Sequence, residues 1–410
     1  MQVKKHQIFI LLATFSLFLL IRNLLLLRFV QPPGYVVDIY SVFPLTFYLS
    51  SIACYFVAVL LILCNYKKLG IFILCLNHLQ ILLIPYMLGY YSMGRADDMS
   101  YIGEYLQIMK SGYFAEWDIY PASHIVGAFI SLLSNIEAHN TSFIIPIIFS
   151  FILIIGIYLL SKELIPESFI CSLVLVSSFI LYLGVYTFLN TPHALFFEFM
   201  PLYLCYIHKY LKTPRNTLLS IIFVLMTLLI PITHPFIVFF AFTVFLLYMI
   251  PIFISMSTFK KLFNSFWNHQ NLSLIPLAFD CNQSKTSKII ENLKFFIFEI
   301  PKMKMSGFTI LVVSFFGWFF YNNSLMRKFS SSYLAYISKI TEPIFFETEE
   351  KLSKINLDLF EYIKLISFLY GRFIFPTIII LISFMLISRN RKLLKKDSFK
   401  NYPYLLVLYI

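Results

Sequence analysis

The chain alternates long apolar runs with short polar clusters. Apolar stretches occupy residues 8–30, 42–64, 70–90, 123–136, 142–160, 169–189, 191–207, 217–232, 236–255, 307–321 and 365–388, and an interrupted one begins at 403. A helix needs roughly 20 apolar residues to cross about 30 Å of hydrocarbon, and most of these runs approach that length. They lack the period-two alternation by which barrel strands separate a lipid face from a lumen face. Backbone polar groups in hydrocarbon must be satisfied within a helix or a closed barrel, so the pattern predicts an all-α, polytopic membrane bundle of about 10–11 spans.

Composition strengthens this reading. Hydrophobic residues make up 60% of the 410 positions and charged residues 13%, with a mean hydropathy of +0.82. Soluble domains carry about 25% charge, so a fully solvated surface cannot be built from this chain. Lys4 and Lys5 precede a run too long for the apolar core of a typical signal peptide, and no small-residue cleavage site follows. The first segment is therefore read as a retained anchor. The six cysteines are scattered, with no paired spacing that would suggest a disulfide frame or a cysteine-ligated zinc.

The net charge of +12 follows topology rather than nucleic-acid binding. Lys4/Lys5, Lys67/Lys68, Lys209/Lys212/Arg215, Lys260/Lys261 and the cluster from Arg389 to Lys396 are cytoplasmic by the positive-inside rule. Residues 91–122 then lie outside and 208–216 inside, which requires an odd number of crossings between them. Four candidate runs intervene. The shortest, 123–136, gives only about 21 Å of helix, so it is expected to dip rather than span. On that assignment inner loops hold 21 Lys/Arg against 6 Asp/Glu, and outer loops 8 against 13. The expected protein is a multi-pass plasma-membrane protein with a cytoplasmic N-terminus, in which 1–410 forms one transmembrane domain.

Three loops stand out: a first outer loop at 91–122, a basic inner loop at 256–306 and a second outer loop at 322–364. The inner loop suits the anionic inner leaflet. The second outer loop reads as a solvated frame carrying a surface helix around Glu350–Lys354. Pro403–Ile410 resembles the opening of a further span, expected to continue in a longer chain.

The densest polar sequence lies in the first outer loop: Gly94-Arg95-Ala96-Asp97-Asp98-Met99-Ser100-Tyr101, then Glu104, then Glu116-Trp117-Asp118-Ile119-Tyr120-Pro121-Ala122-Ser123-His124. Adjacent carboxylates at the mouth of a bundle suit a general base, or a divalent cation (Mg or Mn) held by Asp97 and Asp98 beside a phosphate. They equally suit solvated acids capping a helix over 98–110, whose Tyr101, Tyr105 and Ile108 share one stripe. An acidic outer loop, an interfacial helix and Tyr120-Pro121-x-x-His124 opening the next helix together resemble membrane glycosyltransferases of the GT-C fold. These include protein O-mannosyltransferases, aminoarabinose transferases and oligosaccharyltransferases. The turns Asn190-Thr191-Pro192-His193 and Thr233-His234-Pro235 add to the likeness, which covers roughly residues 70–255. It departs in having two helices before the usual first loop and a single Pro at the helix opening.

The resemblance implies transfer of a sugar from a polyprenyl-phosphate donor to an outward-facing acceptor, with Asp97 or Asp98 as base and no nucleic-acid partner. It leaves donor sugar, acceptor and oligomeric state open. Cations for the lipid phosphate would come from Arg22 or Arg372, since a guanidinium grips phosphate oxygens in two places. Snorkelling to headgroups is the alternative for any Arg near a span end. Tyr120, His124, His193 and His234 adjoin predicted outer helix ends, where they could converge as acids, donors or ligands, or serve as structural hydrogen-bonding groups. Glu198 lies inside a span and must be neutral, paired or cavity-facing; a bridge to Arg372 would satisfy both. His78, with Asn77 and Gln80, reads as interhelical glue. Two rival functions remain: a surface-polysaccharide polymerase or ligase, disfavoured by the few basic residues of the first outer loop, and a lipid-linked-sugar flippase, disfavoured by the absence of an internal repeat.

Overall fold

A computed structural model describes residues 2–30, 42–92, 96–165, 167–180, 190–213, 216–234, 238, 241–242 and 300–340. Among them the regular structure is helical, with no strand. The chain divides into two compact units, Met1–Cys205 with Ser338–Pro376 and Tyr206–Ile337 with Thr377–Ile410. The described helices of the first unit are α1 (Gln2–Phe29), α2 (Leu45–Leu63), α3 (Lys67–Met87), α4 (Ala96–Ser111), α5 (Pro121–Ser134), α6 (Ala138–Leu164) and α7 (Ser168–Ser178). To these it adds the first part of α8 (Pro192–Lys212). The second unit contains α9 (Thr217–Thr233), α10 (Ile300–Tyr321) and most of α11 (Asn323–Ile340).

His6–Phe29, Leu45–Leu63, Lys67–Met87 and Ala138–Leu164 are long and apolar enough to cross a membrane. They coincide with the expected runs 8–30, 42–64, 70–90 and 142–160. Ser306–Tyr321 and Asn323–Ser331 make a fifth if that bent pair is counted as one span. The 14-residue α5, expected to dip rather than span, is among the shorter apolar helices, and so are α7 and α9. The expected runs 191–207 and 217–232 form α8 and α9, and residues 169–178 of the next run form α7. Most of 236–255, and all of 365–388 and 403–410, lie outside the described residues, as does the loop over 256–299.

The first unit is held by apolar packing with buried polar ties between helices. Ala13, Leu20, Cys54, Ala58, Leu61, Ile73 and Leu74 form the seam of α1, α2 and α3. Across it, Asn23 Nδ2 donates to the Phe47 carbonyl and to Ser51 Oγ, both at 3.3 Å, and Ser50 Oγ donates to Asn23 Oδ1 at 2.7 Å. His78 Nε2 meets Ser150 Oγ at 2.7 Å, tying α3 to α6, and Asn77 Nδ2 donates to the Ser51 carbonyl at 3.3 Å. Asn77 and His78 thus make the interhelical bonds expected of the polar trio, each worth about 0.6–2 kcal/mol in a membrane, whereas buried Gln80 makes none among the described residues. Only 28% of the apolar window in α1 is buried, and its outward Phe15, Phe18, Ile21 and Leu25 are as apolar as its inward face. A helix apolar all round with an open face fits lipid rather than water.

The segment carrying α4 and α5 folds back on this bundle. α4 packs on α5, and both pack on α6 through Ile102, Tyr105, Ala128, Ala138, Ile145 and Leu195. The close approach of α4 to α5 depends on Gly127, where a Cβ would fall 2.5 Å from the Tyr105 ring. Asn135 turns the chain from α5 into α6 in the left-handed region at φ 53°. Asn is one of the few side-chain-bearing residues that visits that region readily.

In the second unit α9 packs along α10, and Ser314 Oγ donates to the Leu228 carbonyl at 2.9 Å. The chain then bends by 91° into α11. Buried Asn322 sits at the corner, its Oδ1 accepting the Leu325 N–H at 2.8 Å as an N-cap. Two loop boundaries therefore differ from the sequence expectation. Residues 300–306 and 323–340 are helical rather than loop. Lys302 and Lys304 lower the local hydropathy without ending α10, because lysine is a good helix former. In α11 the apolar Leu325, Met326, Phe329, Tyr333 and Leu334 recur at helical spacing within a sequence too polar on average to read as a span.

Candidate functional site

Local chemistry explains how the loop-one residues come together. Asp97 and Asp98 lie in the first turn of α4, where carboxylates complement the helix dipole. Helical spacing sets Asp98, Tyr101, Glu104, Tyr105 and Ile108 along one stripe. That stripe faces inward: Asp98 is 4% exposed, Glu104 5% and Tyr105 fully buried. Asp97 faces solvent.

The approach to α5 supplies the opposing groups. Asp118 Oδ1 accepts the Tyr120 N–H at 2.8 Å, the side-chain-to-backbone turn by which Asp bends a chain. Tyr120 caps α5 and Pro121 takes its first position, where no N–H is needed. His124 then lies in the first turn, with Nδ1 2.7 Å from Asp118 Oδ2. Both are buried, at 3% and 2% exposure. Nε2, across the ring from Nδ1, faces away from Asp118.

Tyr101 and Tyr105 line this pair, their rings 5.0 and 6.1 Å from the His124 ring. Asn190, just before α8, donates through Nδ2 to the Tyr105 hydroxyl. The Tyr101 phenol is pushed upward from its ordinary pKa, first by burial and then by the charges around it, Asp97, Asp98 and Asp118 among them. The Tyr120 phenol moves the same way through burial, Asp118 and Asp97. Both phenols therefore remain protonated donors beside a patch of negative charge. Burial also raises the Glu104 carboxyl, the Asp118 charge adds to that, and His124 pulls it back.

One coordinating atom from each of Glu104, Asp118 and His124 lies within 4.8 Å of the others. Such a group can share a proton, orient an imidazole for base catalysis or hold a cation. The sequence had singled out His124 and Tyr120. It had quoted Glu104 and Asp118 without giving either a role. The usable signals were the Asp-x-Tyr-Pro-x-x-His spacing and the place of Glu104 on the Tyr101–Tyr105 stripe.

The other expected residues fall elsewhere. Arg22, half-buried on α1, donates to the Thr46 carbonyl at 3.3 Å and to Thr46 Oγ1 at 2.9 Å, bracing the first turn of α2. Glu198 in α8 is 0% exposed, and neither carboxylate oxygen has a hydrogen-bond partner among the described residues. Its expected partner Arg372 lies outside the described residues, as does Arg95. His193 is the second residue of α8. His234 caps the C-terminal end of α9 in the second unit.

Comparison with protein-family models, with curated proteins and with solved structures gives no match. The chemistry of the site therefore rests on its own residues.

Proposed function

We propose that this chain is a multi-pass glycosyltransferase of the cell membrane, with its N-terminus in the cytoplasm. It takes a sugar from a polyprenyl-phosphate carrier and passes it to an outward-facing acceptor. One observation carries the reading: α4 and the start of α5 enclose Asp98, Tyr101, Glu104, Asp118 and His124 in a single buried cluster. Merely solvated loop acids would stay in water, where burial costs them nothing. The likeness of the loop-one motifs to GT-C enzymes supports the same reading.

In this reaction an acceptor hydroxyl gives its proton to Asp98 as its oxygen attacks the anomeric carbon. The bond from that carbon to the phosphate oxygen breaks, and the electron pair leaves with the polyprenyl phosphate. Asp97, on the solvent side of the same turn, orients the incoming acceptor. Tyr101 and Tyr120 offer protonated hydroxyls and ring faces to the sugar, and the buried Asp118–His124 pair holds the wall opposite.

The chain in nanodiscs, given a radiolabelled polyprenyl-phosphate sugar, is expected to transfer or hydrolyse it. The Asp97→Asn/Asp98→Asn double variant should slow turnover by about 10²–10⁴-fold, the range general-base catalysis supplies. Undiminished turnover in that variant would remove both aspartates from the chemistry.

A further inference from the structure

Three buried groups from separate parts of the loop, α4, the segment before α5 and the first turn of α5, each bring one coordinating atom within 4.8 Å of the others. We infer that Glu104, Asp118 and His124 form a binding site for a divalent cation of the zinc class, leaving at least one coordination position open to a ligand oxygen. The inference stands on the cluster itself and does not require the glycosyl-transfer reading.

The first argument is spacing. Bonds of about 2.0–2.2 Å place the ligand atoms of a tetrahedral zinc roughly 3.4 Å apart. The three candidate atoms already lie within 4.8 Å of one another, so closure needs only side-chain adjustments. The second argument is the state of the polar atoms. Glu104 Oε2 is buried and makes no hydrogen bond among the described residues. A buried polar atom left unmatched is costly, more so when charged, and a cation bound by Glu104 would relieve that cost.

The third argument is the ligand set. Carboxylates alone suit magnesium or calcium, whereas an imidazole beside them shifts preference toward zinc and its neighbours. Asp118 Oδ2 already stands 2.7 Å from His124 Nδ1, so the two atoms need to part by less than about 1 Å to admit a cation between them. The expected pair Asp97 and Asp98 is the poorer candidate, because Asp97 faces solvent. Three protein ligands leave zinc short of its usual four, which is the open arrangement of a catalytic or substrate-binding metal.

The test uses the full chain in nanodiscs, stripped with a chelating resin and titrated with zinc, with bound metal read by mass spectrometry. One zinc per chain is expected, and a large excess of magnesium should not displace it. Glu104→Gln, Asp118→Asn and His124→Gln should each weaken binding by about 10-fold or more, a scale that even supporting residues of metal sites reach. Glu116→Gln, an exposed carboxylate of the same loop, should bind as the unaltered chain does.

Cobalt in the unaltered chain gives a readout independent of how any variant folds. Intense visible bands of a four- or five-coordinate site support the inference. The faint spectrum of hydrated cobalt overturns it, as does zinc binding unchanged by both Glu104→Gln and His124→Gln. The reaction and the site can fail separately. Zinc bound without sugar transfer supports the site and removes the proposed reaction. Sugar transfer by a chain that binds no zinc does the reverse.

Discussion

At the scale of single residues, two neighbours in sequence occupy different worlds. Asp98 is packed into the cluster while Asp97 meets solvent, one residue and about 100° of helix away. A base working on a desolvated hydroxyl belongs on the buried side. Asp98→Asn alone should therefore cost nearly the whole effect of the double variant, and Asp97→Asn less than about 10-fold, both read as kcat/KM for the labelled donor. Equal losses would mean that α4 rotates on binding substrate. The sequence disclosed the acidic pair, the Tyr101–Tyr105–Ile108 stripe and the Tyr-Pro-x-x-His opening, because each is a local pattern. It did not disclose what Asp118 and Glu104 do. The reach of Asp118 to His124 spans six residues and depends on the turn before Pro121. Carboxylates are usually solvated, and only the docking of α4 on α5 puts Glu104 inside.

At the scale of helices, close approach and bending carry the consequences. The Tyr105 ring occupies the space a side chain at 127 would need, and Tyr105 is too buried to swing aside. Gly127→Ala should therefore destabilise the chain by about 1–3 kcal/mol, the cost of overpacking a filled core. Gly103→Ala on the exposed face of α4 has open space and should stabilise by roughly 0.5–1 kcal/mol through helix propensity. Thermal unfolding in detergent tells the two apart, and adding Tyr105→Leu to Gly127→Ala should recover part of the loss. The corner at Asn322 sets α11 nearly at right angles to α10, with Met326, Phe329 and Tyr333 exposed at i, i+3 and i+7 spacing. A helix lying in the interface would bury that stripe in the headgroup boundary and keep Arg327 and Lys328 wet. In a chain freed of its six native cysteines, Lys328→Cys should react quickly with a membrane-impermeant maleimide and Phe329→Cys slowly. Hydropathy alone hid α11, because its average polarity masks its periodicity.

For the whole molecule, apolar runs located the four long helices well, since a bilayer-length helix announces itself by length and composition. The loop-borne helices were less legible, because tertiary docking decides their ends. The proposed orientation predicts where reporters will work. A fluorescent protein fused after Lys212 should fold and glow in the cytoplasm, and alkaline phosphatase inserted after Gly112 should be active outside. The reverse pair of results would invert the topology and move the acidic cluster to the cytoplasmic face. The brevity of α5 bears on how the protein comes into being. Fourteen residues cannot hold as a span of their own when the insertion machinery handles the nascent chain. In the proposed orientation the whole segment from Leu88 to Glu137 must then be exported before α6 anchors behind it, and only afterwards can α5 settle onto α4. In that orientation the acidic cluster is assembled only on the far side of the membrane, so the cytosol never meets it in its folded form.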